Sequence, residues 1–278
     1  MKKKSLLLII GLLVVSLLVA CGGSDIPTGD VEGESDEVAL QLLKVGATPV
    51  PHAEILEFIK PLLLEEGIEL EIIEFTDYNT PNLALADGDI DANFFQHAPY
   101  MDSFAENNNL QLVSAAKVHV EPLGLYSKNI ESIEDLQDGA KISLPNDPTN
   151  EGRALLLLEY HGLIELGEDA PLTATENDIL SNPSNIEFYP LEAPQLPRSL
   201  EDVDASIINT NYALEAGLNP VRDALVIEDA NSPYANILTV LPEKLEREEI
   251  KSLVSILNSP QVKEFIEDTY EGAIVPAF

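Results

Sequence analysis

The sequence predicts an α/β protein of two lobes, each a mixed sheet flanked by helices, with a ligand cleft between them. Three observations lead there. From residue 42 onward, short apolar runs of strand length alternate with stretches whose apolar residues recur at helical spacing. The roughly 240 residues from there to the end exceed a minimal module and suit two lobes of ordinary size. The chain also crosses twice between the lobes, at 121–126 and at 231–236, so that lobe I takes 42–121 and 235–278 and lobe II takes 122–234.

Ahead of that fold, residues 1–20 read as an export signal. Lys2, Lys3 and Lys4 precede an apolar run over 6–20 that is shorter than the ~20 residues a spanning helix needs. The run ends in Leu18-Val19-Ala20-Cys21, small residues before the chain's single cysteine. That pattern predicts a lipobox, with Cys21 acylated and first in the mature chain; an uncleaved anchor helix and a free thiol are the rivals. One cysteine leaves no disulfide framework. Residues 21–41 form an acidic tether rich in Gly and Ser, without apolar periodicity, that is expected to be flexible. Its 22–37 stretch reaches at most ~50–55 Å, so the expectation is a globular body held to a membrane surface by lipid alone.

The chain carries 49 acidic against 15 basic side chains, a formal net charge of −34, and losing Lys2 to Lys4 makes it more negative still. Such a charge argues against nucleic acid as a partner and against peripheral attachment to anionic lipid. The acids are spread along the chain, which predicts a solvated acidic surface and not an acidic tail.

In order, 42–48 reads as a strand, 49–52 as a loop and 53–66 as a helix kinked at Pro61. A strand over 69–75, a polar loop, a short helix at 83–86 and a strand from Ile90 follow. That strand runs into Asn93-Phe94-Phe95-Gln96-His97-Ala98-Pro99-Tyr100, a cluster of aromatics in a chain that is only 6% aromatic. Pro99 disfavours helix at the residue before it and suits a first helical turn, so the segment reads as strand end, corner and helix start. In open α/β sheets that is where ligands bind. Singly, Phe94, Phe95 and His97 would pass as core or loop residues. A helix over 99–107 and a strand over 110–120 lead to the first crossing.

Lobe II opens with Ser132 capping a short helix, a strand at 141–144, a loop at 145–150 and a helix over 150–161. Strands at 186–189, 204–208 and 225–227 and a Pro-interrupted helix at 194–201 complete it. After the second crossing come a strand at 237–241 and helices over 243–257 and 260–270 that pack back on lobe I. Asn150 and Arg153, three apart at a helix start, share one face beside the positive end of the dipole, where a guanidinium could grip a carboxylate. The alternative is a surface ion pair with one of the many acids. Asn209 and Asn236 flank inter-strand connections, as ligand-holding amides or as turn residues.

One lobe thus offers aromatics, the other an arginine and amides, and a cleft between them suits a small amphoteric molecule with an apolar end. The chain resembles the bacterial methionine-binding lipoprotein family, the NlpA lipoproteins, which feed an ABC importer. The resemblance rests on Val45-Gly46-Ala47-Thr48-Pro49-Val50-Pro51-His52, Phe75-Thr76-Asp77-Tyr78 with Pro81-Asn82, and Asp91-Ala92-Asn93-Phe94-Phe95-Gln96-His97. It extends through Pro145-Asn146-Asp147-Pro148-Thr149-Asn150 with Arg153, Ile208-Asn209-Thr210 with Tyr212, and Ser232-Pro233-Tyr234-Ala235-Asn236. It implies a periplasmic-binding-protein-like fold and a lipid-anchored, extracytoplasmic receptor for methionine, L-methionine foremost, with an importer permease and ATPase as partners. It also implies the thioether among Tyr78, Phe95, His97 and Tyr100 with His119 nearby, the carboxylate on Arg153, and the remaining polar groups on Asn150, Asn209 and Asn236.

Two other classes compete. A metal-ion receptor would use His52, His97 and His119 with nearby acids, although the four histidines form no tight H-x-x-H pair. A receptor for another small amino acid or a methionyl dipeptide would use the same fold. No nucleophile, base and oxyanion set can be assembled, so no enzyme and no cofactor are expected.

Overall fold

The computed structural model describes residues 40–168, 170–229 and 233–278. The export signal, Cys21, nearly all of the tether, and Asn231 and Ser232 of the second crossing lie outside the described residues.

The chain begins with β1 (Gln41–Ala47), α1 (Glu54–Glu65), β2 (Ile68–Glu74), α2 (Thr80–Asp87), β3 (Ala92–His97), α3 (Ala98–Asn108) and β4 (Val113–Val120). It continues through β5 (Gly124–Tyr126), β6 (Lys141–Pro145), α4 (Pro148–Tyr160), β7 (Glu165–Leu166), β8 (Ile179–Ser181) and β9 (Glu187–Leu191). Next come α5 (Leu196–Ser199), β10 (Ala205–Ile208), α6 (Thr210–Glu215), α7 (Pro220–Asp223) and β11 (Ala224–Ile227). It ends with β12 (Ala235–Val240), α8 (Glu248–Leu257), α9 (Pro260–Tyr270) and β13 (Val275–Pro276).

Two mixed sheets result. The six-stranded one runs β13-β4-β12-β3-β1-β2, with β1 parallel to β2 and β3, and β12 antiparallel to β3 and β4. The five-stranded one runs β11-β5-β10-β6-β9, with β6 parallel to β9 and β10, and β5 antiparallel to β10 and β11. All strands of the second sheet fall between β4 and β12, so β12 returns to the first sheet beside the strand from which the chain left.

Each sheet has its own core. Leu43, Val45 and Ala47 of β1 pack with Ile55, Leu56 and Ile59 of α1 and Ile250 and Leu253 of α8. Leu125, Ile142, Leu144 and Ile207 pack with Leu155 and Leu158 of α4. All six residues of β3 are buried, as suits an interior strand of a sheet, between β12 and β1.

Several elements differ from the sequence expectation for identifiable reasons. Helix α1 runs on through Pro61 without a break. Pro61 and Glu57 both face solvent, where water can take the carbonyl that the missing N–H leaves free. Helix α2 starts earlier because the Asp77 carboxylate accepts from the N–H groups of Asn79 (2.7 Å) and Thr80 (2.8 Å). Helix α4 starts at Pro148 because Asp147 is its cap, accepting from Asn150 N at 3.0 Å. The helix expected over 243–257 is instead a single turn at 242–244 followed by α8. Arg247 is extended there, reaching Asp91 at 3.3 Å and pairing with Glu249.

Candidate ligand-binding site

The aromatic corner forms where β3 passes into α3. His97 is extended (φ −94°, ψ 159°) and caps α3, its Nδ1 accepting from Tyr100 N at 3.1 Å. With Nδ1 an acceptor, the proton sits on Nε2, which donates to Asn150 Oδ1 at 3.2 Å. Burial, and then the nearby Arg153 charge, hold the imidazole down to about 3, so it is neutral. Phe95, Tyr100 and Tyr78 stand around it with ring centroids 5.8–6.0 Å apart. The Tyr100 hydroxyl donates to Tyr78 O (3.0 Å), and the Tyr78 hydroxyl reaches Asn211 Oδ1 on α6 (2.6 Å).

Facing this corner is the first turn of α4. Asn150 Oδ1 also accepts from Asn209 Nδ2 at 3.0 Å, while its own Nδ2 donates to both Asp147 oxygens. Asn209 Oδ1 is buried with no hydrogen-bond partner among the described residues. Arg153 is 3% exposed and is tied to both crossings. Its Nε donates to the two oxygens of Glu228 (3.0 and 3.1 Å), and Nη2 to the same carboxylate and to Glu121 O (2.7 Å). Its guanidinium carbon lies 4.4 Å from the Tyr234 ring centroid.

Beneath the cleft a second cluster gathers. Glu121 Oε1 lies 2.8 Å from His119 Nε2 and 3.2 Å from His52 Nε2, and Glu121 Oε2 accepts from Asn211 N at 3.1 Å. His52 Nε2 is also 3.2 Å from Asn236 Oδ1, and its Nδ1 is 2.7 Å from Thr48 Oγ1. Burial lowers His52 to about 4, against the pull of Glu121, and lowers His119 to about 3; burial raises Glu121. Two neutral imidazoles therefore clamp one buried carboxyl group.

Between corner, helix and cluster lies a narrow cleft. Tyr78, Phe95, His97, Tyr100, Asn150, Arg153, Asn209 and Asn236 all line it. His119 does not: it is fully buried one layer behind and meets the cleft only through Glu121. Asn236 lies within β12, opposite His119, and not on a connection. Residues not foreseen as lining are Gln96, Glu121, Thr210 and Asn211. Glu121 had one signal, a lone acid closing the otherwise apolar Val118-His119-Val120 run.

Two α/β sheets joined by two crossings, with an aromatic corner set opposite an arginine, define a two-lobed substrate-binding protein. The NlpA lipoprotein model matches residues 43–278. The methionine-binding lipoprotein MetQ of Bacillus subtilis (strain 168) is 42% identical over 95% of both chains. A nutrient-binding protein from Burkholderia cenocepacia, solved bound to methionine, is 44% identical, with a TM-score of 0.83 over 85% of this chain and 100% of its own. A lipoprotein from Ruminococcus gnavus is 45% identical, with a TM-score of 0.84 over 86% and 100%. The chain belongs to the NlpA lipoprotein family.

Proposed function

We propose that this chain is a lipid-anchored receptor on the extracytoplasmic face that binds methionine and delivers it to the permease and ATPase of an ABC importer. The observation that carries the reading is one cleft in which a buried arginine faces three aromatic rings. Arg153 Nη1 makes no hydrogen bond among the described residues, and in this reading it is the side of the fork that takes the ligand's carboxylate. Glu121, with the amides of Asn211 and Asn236, offers acceptors for an ammonium group. Tyr78, Phe95 and Tyr100 form a wall for a thioether, where sulfur beside rings contributes about 0.3–1.5 kcal/mol beyond area burial. Neutral His97 orients Asn150 and is not a base.

The names of the relatives support the ligand. Salmonella typhi has a D-methionine-binding MetQ 39% identical to this chain, so both enantiomers belong in the test. In this reading the lobes are 42–121 with 235–278, and 122–234, and they close over the ligand. Cys21 carries the lipid; among the described residues no helix is long and apolar enough to cross a membrane. Calorimetric titration with L- and D-methionine, with melts alongside, tests the reading. At ligand about 100 times Kd the folded state gains ~2.7 kcal/mol, and an unchanged melt at saturation rejects methionine.

A metal-receptor reading is favoured by one observation, that ligand atoms of His52, His119 and Glu121 lie within 4.8 Å of one another. His97 is not among them, being bound to Asn150. The amino-acid reading is preferred because each Nε2 of that cluster already has an acceptor. Metal analysis after chelation and reloading decides between them.

A further inference from the structure

We infer that Glu228 sets the net charge of the ligand the cleft accepts, by neutralising Arg153 before any ligand arrives. The inference rests on the proposed function for the ligand's carboxylate and goes beyond it in naming the residue that selects zwitterions over anions.

Among the described residues, Arg153 is the one Lys or Arg that lines the cleft. Its side chain is 4% exposed, and a bare guanidinium at that depth is costly. Glu228, the residue after β11, answers that charge side-on, both of its oxygens meeting Nε. Glu228 is fixed in turn by the first crossing: its N–H donates to Leu123 O at 2.9 Å, and its Oε2 accepts from Leu123 N at 3.4 Å. The carboxylate is thus part of the frame of the site and stays when ligand enters.

The charges then sum simply. Arg153 with Glu228 forms a neutral pair, and a zwitterionic amino acid added beside it leaves the net charge of the poorly hydrated site unchanged. A ligand with a carboxylate and no ammonium adds one uncompensated negative charge, with Glu121 and Asp147 also close to the cleft. Removing the Glu228 charge alone shifts this balance by one positive unit and so favours the monoanion relative to the zwitterion. A group that merely braced Arg153 would weaken both ligands together. A group that sets charge changes their ratio.

The experiment is calorimetric titration of the parent, Glu228→Gln and Glu228→Asp with methionine and with its 2-hydroxy analogue, in which a hydroxyl replaces the ammonium. Comparing ratios across variants cancels the contacts that the analogue lacks. The ratio should move by about tenfold or more toward the hydroxy acid in Glu228→Gln, as expected of one charge at short range in a weakly screened site. Glu228→Asp should keep the parent ratio, whatever it does to the two affinities. An unchanged ratio in a folded Glu228→Gln overturns the inference. So does a parent that binds the hydroxy acid as tightly as methionine, a measurement that needs no variant. A parent that binds neither ligand overturns the proposed function instead.

Discussion

His97 Nε2 donates to Asn150 Oδ1 at 3.2 Å, joining the corner at the end of β3 to the helix that carries Arg153. Tyr78 to Asn211 (2.6 Å) and Tyr212 to Thr76 O (3.1 Å) make the same kind of link between elements of the two sheets. The aromatic and polar walls are therefore held in register by neutral hydrogen bonds, each contributing about 0.5–1.5 kcal/mol. Bonds of that size fix geometry without preventing release.

Arg153→Ala should weaken methionine binding by about 3–5 kcal/mol, the scale of removing one partner of a buried charge pair. Arg153→Lys should recover part, keeping charge without the fork. Methioninol, a cation that lacks the carboxylate, should bind the parent and Arg153→Lys weakly and gain in Arg153→Ala, where Glu228 is left without its partner. Because the alanine variant also strands Glu228, circular dichroism must first show a native fold. A folded Arg153→Ala that binds like the parent would remove the carboxylate assignment.

Phe95→Ala removes one of three rings spaced 5.8–6.0 Å apart and leaves the polar wall intact. Methionine should lose about 1.5–3 kcal/mol and alanine almost nothing. Competition titrations with the two amino acids read the difference. Equal losses would mean that Phe95 supports the fold and not the side-chain subsite.

Acid should destabilise the protein in a definite window. An imidazole held below its ordinary value of 6.5 contributes stability above that pH and loses it as pH falls toward the folded value. His52 at about 4, and His97 and His119 at about 3, therefore lose their contributions from pH 6.5 downward. Glu121 is raised and works the other way, its contribution shrinking as pH rises above the usual 4.5. Asp147, Glu151 and Glu215 are also raised by burial and oppose the histidines in the same sense as Glu121, so the histidine share is read by comparison with a variant. Urea midpoints should drop between pH 7 and pH 5, and His97→Asn should flatten the drop. Coincident midpoints would contradict the buried neutral histidines.

Cys21→Ser should release the protein from membranes while leaving methionine binding unchanged. Fractionation after high salt, with titration of the soluble fraction, checks both halves. A variant still bound to membranes would favour an uncleaved anchor helix over the lipobox.

The fold was largely legible because β1 and α1 carry apolar patterns of strand and helix period, and because Pro99 and Pro260 mark helix starts. The break before α8 was not, since it depends on Arg247 meeting Asp91, a partner far away in sequence. Helix α6 has too few residues to show a period, so nothing in the sequence singled out Asn211. Arg153 was legible from its spacing to Asn150, but its partner Glu228 was one acid among 49. The resemblance implied His119 beside the cleft; Glu121, two residues on, lines it instead and bonds His119 from behind.

Val120 of β4 and Ala235 of β12 are paired across adjacent strands, one at the last residue before the second sheet and the other at the first residue after it. To the six-stranded sheet, everything between them has the footprint of a hairpin turn. Such an insertion is modular: a short turn joining β4 to β12 would preserve the strand order of the first sheet. The same two neighbouring positions would serve as splice points for grafting the second lobe of a relative, giving chimaeras in which the aromatic wall and the arginine wall come from different parents.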